Sequence, residues 1–198
     1  MPLKVLRPSV MAAREWFKER DQEEWSHTKQ QVFTRDGYTC TYCRLVAQKF
    51  MQVNHIGAED DHSLDNLETV CRACHSVLHL GISAMTGALT VFECRPEVEN
   101  MAAVVAHTRA LVARNVPWSD IEQTLLTRFM RPGGIHATSE ASVEWANKLL
   151  RTIYPPAFRG YLPVGYAVLF HEEGDWNGFP EQIWKWQCMR GSSYQKGG

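Results

Sequence analysis

Cys40-Thr41-Tyr42-Cys43 and Cys71-Arg72-Ala73-Cys74 are two Cys-x-x-Cys motifs with 27 residues between them. Two such pairs supply four thiolates on short chelate loops, which is the donor set of a tetrahedral zinc site. The alternative is four unligated cysteines in a core. Because four protein ligands leave no open position for water, the sequence predicts a structural zinc ion. It would tie the start of this segment to its end and add folding energy.

A second group of polar residues lies inside and just after this segment. Asn54-His55 closes a short strand predicted at residues 49–56, and Asn66 follows eleven residues later. His75 comes directly after the last cysteine, and His79 lies four residues further on the same face of a predicted helix. Two imidazoles that project in parallel from a helix suit a second metal ion.

Four blocks of this region together carry a family resemblance. They are residues 35–43, Val53-Asn54-His55-Ile56, Asp65-Asn66-Leu67 and Cys71-Arg72-Ala73-Cys74-His75. In order and character they resemble the HNH endonucleases that carry a four-cysteine zinc site, over about residues 32–80. The resemblance implies a ββα-metal module and hydrolysis of phosphodiester bonds in DNA.

Residue roles follow from that resemblance position by position. His55 corresponds to the strand histidine that acts as general base on the attacking water. Asn66 corresponds to the asparagine that holds the loop and orients the base, or in some members touches the metal. His75 and His79 correspond to helix ligands of a catalytic cation, Mg²⁺ or another divalent ion, which neutralises charge in the transition state.

Asn54 departs from the family pattern. The position before the general base is usually Asp, Glu or His and ligates the catalytic metal. The neutral amide oxygen of Asn54 is a poorer ligand for a hard cation. We therefore expect a lower affinity for the catalytic cation, unless a carboxylate from Asp60, Asp61 or Asp65 contributes.

Composition limits the remaining possibilities. Hydrophobic residues make up 44% of the chain and charged residues 22%, as in ordinary globular proteins. No apolar run reaches the length of a membrane span, and no secretory signal follows Met1, so we expect a cytoplasmic protein without membrane insertion. The net charge is −1, but residues 1–50 carry nine Lys/Arg against six Asp/Glu, so a DNA-facing surface is expected to involve this part.

The pattern along the chain predicts an α+β fold, with a small zinc-stapled ββα-metal (HNH) module embedded in a mostly helical domain. We divide the chain into a helical extension (1–31), the HNH module (32–81), a mostly helical region for substrate positioning or partner binding (82–190) and a disordered tail (191–198). Helices are predicted at 11–17 with Ser9 as cap, and at 23–34. Further helices are predicted at 72–80 ending at Gly81, at 97–114, at 119–130 and at 139–153; a strand is predicted at 88–93. Residues 154–198 show no regular pattern.

Three functions remain open at this level. The first is a DNA endonuclease that uses His55, Asn66, His75 and His79. The second is a catalytically silent zinc adaptor that binds a protein partner through residues 96–190. Its motive is Asn54 and an overall layout similar to the HNH-like zinc adaptor of the type IVB (Dot/Icm) secretion coupling complex. The third is a zinc-dependent DNA-binding module without cleavage.

Overall fold

The structure is a computed structural model that describes residues 4–11, 22–96, 98–153 and 159–172. Helices and strands are mixed along these ranges, which confirms the predicted α+β class. The helices are α1 (Gln22–Arg35), α2 (Arg72–Leu78), α3 (Leu80–Met85), α4 (Ala102–Val112), α5 (Trp118–Phe129) and α6 (Ser139–Leu150). The strands are β1 (Ser9–Met11), β2 (Met51–His55), β3 (Leu67–Cys71), β4 (Leu89–Glu93), β5 (Arg159–Tyr161) and β6 (Tyr166–Phe170).

An antiparallel hairpin and the helix that follows it form the centre of the zinc segment. β2 pairs with β3 from Met51↔Cys71 to His55↔Leu67. β3 runs directly into α2, because Cys71 is both the last strand residue and the N-cap, whose side chain accepts a hydrogen bond from the Cys74 amide. α1 packs against this hairpin. The result is a ββα unit in which α2 packs against both β2 and β3.

Two further strand pairs join distant parts of the chain. β1 pairs with β5, with Met11 opposite Arg159, and β4 pairs with β6, with Thr90 opposite Leu169. α3 packs against α6 and links the zinc segment to the C-terminal half. One hydrophobic cluster runs through both parts and includes Val77, Leu80 and Phe92. The hydrophobic core therefore continues across the boundary that was predicted near residue 81.

Several predicted elements are confirmed, and others are wrong. The helix predicted at 23–34 is α1, and the strands predicted at 49–56 and 88–93 are β2 and β4. Ser9 does not cap a helix but lies in β1; most of the helix predicted at 11–17 lies outside the described residues. α2 ends at Leu78 rather than at residue 80, so His79 lies just after the helix as its C-cap, and Gly81 lies within α3.

In the C-terminal half, the helices begin or end at different residues from those predicted. α4 begins at Ala102 rather than at residue 97, and α6, which Thr138 caps, ends at Leu150 rather than at residue 153. β5 and β6 were not predicted. The predicted tail at 191–198 lies outside the described residues. Among the helices in the described ranges, none is long and apolar enough to cross a bilayer.

Candidate metal centre and active site

The four predicted cysteines form one cluster. The Sγ atoms of Cys40, Cys43, Cys71 and Cys74 all lie within 4.8 Å of one another, and those of Cys43 and Cys71 are 3.6 Å apart. Zn–S bonds of about 2.3 Å place the sulfurs of a tetrahedron about 3.8 Å apart, so the cluster fits a structural zinc ion. Burial raises the pKa of the Cys71 and Cys74 thiols, so their ionisation depends on a cation that replaces the proton.

Arg109 of α4 reaches this cluster from outside the zinc segment. Its Nη2 donates to Cys43 Sγ at 3.4 Å and to Cys71 Sγ at 3.5 Å. Four thiolates around one Zn²⁺ carry a formal charge of about −2, which a guanidinium partly offsets. Arg109 therefore connects the predicted zinc site to the C-terminal helices.

His75 and His79 lie side by side at the end of α2. Their ring centroids are 4.3 Å apart, and the His79 amide donates to the His75 carbonyl at 3.0 Å. Burial, followed by the charge of Arg159, lowers the pKa of His75 to about 3. Burial, followed by His75, lowers the pKa of His79 well below its ordinary value. Both imidazoles are therefore neutral at physiological pH, which is the form that ligates metals.

His55 ends β2 and is only 7% exposed. Its Nε2 is 3.0 Å from Nδ1 of His62, and its ring is stacked on Trp25 with centroids 5.7 Å apart. Its carbonyl accepts from Arg159 at 3.2 Å, and the same guanidinium donates to the Leu78 carbonyl at 2.9 Å, so the end of β2 lies close to the end of α2. Neither His62 nor Trp25 was assigned to the site from the sequence.

Asn66 holds the loop between β2 and β3. Its Oδ1 accepts from the Gly57 amide at 2.7 Å, and its Nδ2 donates to the carbonyls of Ala58 and Asp61, also at 2.7 Å. A Cβ on Gly57 would lie 2.9 Å from Asn66 Oδ1, so a larger residue at position 57 would displace the Asn66 amide. Because the same loop carries His62, these bonds also position the partner of His55.

Asn54 is buried between a carboxylate and a guanidinium. Its Nδ2 donates to Glu68 Oε1 at 2.9 Å, and its Oδ1 accepts from Arg159 Nη2 at 3.2 Å. Glu68 also accepts from Lys4 at 2.8 Å and from Tyr42 at 2.8 Å. Neither Glu68 nor Arg159 was singled out in the sequence, because their contacts join positions far apart in the chain.

The donors near His75 and His79 suit some cations better than others. Two neutral imidazoles fit a transition-metal ion, whereas Mg²⁺ prefers oxygen ligands. The amide oxygen of Asn54 is engaged by Arg159, and in the described part of the chain no carboxylate joins His75 and His79 in a group of three ligand side chains. The donor set at this position therefore fits a transition metal held by His75 and His79, and fits Mg²⁺ poorly.

Comparison with known proteins agrees with this geometry. Residues 40–80 match the sequence model of the HNH endonuclease family, which is the family that the sequence blocks indicated. The matched segment is about a fifth of the chain; it is similar to this family and carries the four-cysteine cluster. No curated protein matches the chain, so the likeness to the secretion-complex adaptor stays a hypothesis.

Proposed function

We propose that the protein is an HNH-type endonuclease that hydrolyses phosphodiester bonds in DNA. The observation that supports this most directly is the proximity of the strand and helix histidines. The β2–β3 hairpin runs into α2, and one guanidinium, that of Arg159, donates to the carbonyls of both His55 and Leu78, so the end of β2 lies close to the end of α2. The family match of the same segment is consistent with a nuclease.

In this mechanism His55 removes a proton from water, whose oxygen then attacks the phosphorus atom while the bond to the 3′ oxygen breaks. Trp25 stacks on the His55 ring and restricts its orientation. The loop that Asn66 holds by hydrogen bonds places His62 beside His55 Nε2. His75 and His79 would hold a divalent cation, which neutralises charge on the phosphate and the leaving oxygen.

The experiment is cleavage of supercoiled plasmid by the full chain with Mn²⁺, Ni²⁺, Zn²⁺ or Mg²⁺. His55→Ala should lower the rate by about 10²–10⁴-fold, as expected for loss of a general base, while the zinc content stays unchanged. His107→Ala, at a partly buried position of α4 outside the matched segment, is the matched control and should cleave like the wild type. A wild-type protein that cleaves no nucleic acid with any of these ions would contradict the proposal.

A second candidate, the silent zinc adaptor, is favoured by one contact. Arg159 places a guanidinium on Asn54, where the family usually has a metal ligand. This candidate predicts one tightly bound zinc ion per chain, no second cation, and a protein partner bound through residues 96–190. DNA binding that is salt-dependent and insensitive to His55→Ala, without cleavage, would instead support a DNA-binding module.

A further inference from the structure

A cleft of about 570 Å³ lies outside the HNH segment, between the N-terminal ends of α5 and α6 and the β4–β6 pair. Four polar side chains meet on its wall: Thr90, Glu122, His136 and His171. The proposed nuclease mechanism uses none of them, and the family match does not reach them.

Two imidazole nitrogens converge on one oxygen in this cluster. Thr90 Oγ1 lies 2.7 Å from Nε2 of His136 and 2.7 Å from Nε2 of His171. The two rings are nearly parallel, with an interplanar angle of 15° and centroids 6.3 Å apart. Because both Nε2 atoms lie 2.7 Å from the same oxygen, they can be no further apart than twice that distance.

The fold fixes both histidines from opposite sides of β4. His171 directly follows β6, and its amide donates to the Ala88 carbonyl at 3.1 Å. His136 forms an isolated bridge with Phe92, and the next residue, Ala137, donates to the Val91 carbonyl at 2.8 Å. The convergence therefore depends on backbone pairing rather than on free side-chain rotation.

Glu122 fixes the chemical form of one histidine. Its Oε1 lies 2.7 Å from His171 Nδ1, so in the neutral ring Nδ1 donates to the carboxylate and the lone pair lies on Nε2, which faces the cluster. A carboxylate behind the remote nitrogen of a histidine is the usual second partner of a metal-ligating imidazole. Burial lowers the pKa of His136, which favours the neutral form of this ring.

We propose that His136 and His171 bind a transition-metal ion of the Zn²⁺ or Ni²⁺ class through their Nε2 atoms. Such ions bind imidazole nitrogen at about 2.0–2.1 Å, so the rings must close around the ion and the Thr90 hydroxyl must turn aside. In the described part of the chain, only the four cysteines gather three or more ligand side chains this closely. Water or a small ligand from the cleft therefore supplies the remaining ligands of the metal ion. With only two protein ligands, the bound ion exchanges with ions in solution.

The test is a calorimetric titration of the zinc-loaded protein with Ni²⁺. All variants carry His79→Gln, which removes one of the two ligands proposed for the cation beside α2. His136→Gln and His171→Gln should each lose one binding event that His107→Gln keeps. Glu122→Gln should weaken the same event by about 10–100-fold, as expected for loss of the carboxylate behind a ligating histidine. Long-range ¹H–¹⁵N spectra with Zn²⁺ should show shifts at Nε2 of both histidines.

The proposal would be overturned by equal Ni²⁺ uptake in His136→Gln, His171→Gln and His107→Gln. The cluster would then be a set of hydrogen bonds that binds no metal. If the histidine variants do not fold, Glu122→Gln decides, because the amide oxygen still accepts from His171. An unchanged affinity in that variant would also overturn the proposal.

Discussion

Arg159 donates a hydrogen bond from Nη2 to Oδ1 of Asn54 across 105 residues of sequence, at 3.2 Å. The same guanidinium donates to the carbonyls of His55 and Leu78, to Ser9 Oγ and to Met11 Sδ. It thereby links β5 to β1, to β2 and to the end of α2. One side chain thus fastens the C-terminal half onto the strand end that carries the proposed general base.

Asn54→Asp should strengthen binding of a divalent cation beside His75 and His79. The new carboxylate is a charged oxygen ligand, and the Arg159 guanidinium limits its repulsion with the buried Glu68. Metal titration and plasmid cleavage should both show a gain over wild type. Asn54→Ala is the matched variant, and equal cation affinity in the two variants would contradict a metal position next to residue 54.

Arg159→Met should lower the free energy of unfolding on the order of 3 kcal/mol, because several buried acceptors lose their donor. Arg159→Lys should recover part of the loss, since an ammonium keeps the charge but not the planar fork. Urea unfolding measures both. Arg151→Met, at an exposed position, should change stability little, and equal losses at 151 and 159 would contradict the contacts described.

Arg109→Met should weaken zinc binding by about 10–100-fold, the usual effect of losing a partner behind the ligands. The variant leaves the thiolates of Cys43 and Cys71 without a neighbouring positive charge. Competition with a chromophoric chelator measures the affinity. Arg114→Met, on the exposed turn after α4, is the control; zinc affinity that is the same in both variants would rule out a role for Arg109.

The sequence predicted the parts of the site that depend on short-range spacing. Cys40, Cys43, Cys71 and Cys74 form two pairs at fixed separation, and this arrangement is confirmed as a cluster. The positions of α1, β2 and β4 followed from apolar patterns within each segment.

Other parts depend on pairing between distant segments, which local patterns do not contain. β1 is a strand only because β5 lies beside it, so Ser9 was mistaken for a helix cap. Arg159 meets Asn54, and His136 meets Thr90, through tertiary contacts with no signature of their own. β6 differs, since its apolar run Tyr166–Phe170 was a strand signal available in the sequence.

Stability should fall as the pH drops from about 6.5 to about 3. His75 is neutral in the folded state down to a pKa of about 3, whereas in the unfolded chain it takes up a proton near pH 6.5. The unfolded state therefore binds more protons in this window, and stability rises with pH there by at most about 1.4 kcal/mol per pH unit for one histidine. Urea unfolding of wild type and His75→Gln between pH 5 and 7 checks this, because loss of zinc affects both proteins alike. A slope identical in the two proteins would contradict the buried, neutral state of His75.

Asn66→Ala should lower plasmid cleavage while the zinc content stays at one ion per chain. The substitution removes three hydrogen bonds that hold the Gly57, Ala58 and Asp61 backbone, so the loop that presents His62 to His55 loosens. Gly57→Ala should act in the same direction, because its Cβ would lie 2.9 Å from Asn66 Oδ1 and displace that side chain. Gln48→Ala, at an exposed position before β2, is the control and should cleave like wild type. The cysteine cluster lies on β3, α2 and the turn before β2, so zinc content separates loosening of the loop from loss of the fold. Wild-type cleavage by Asn66→Ala would show that this loop does not position the general base.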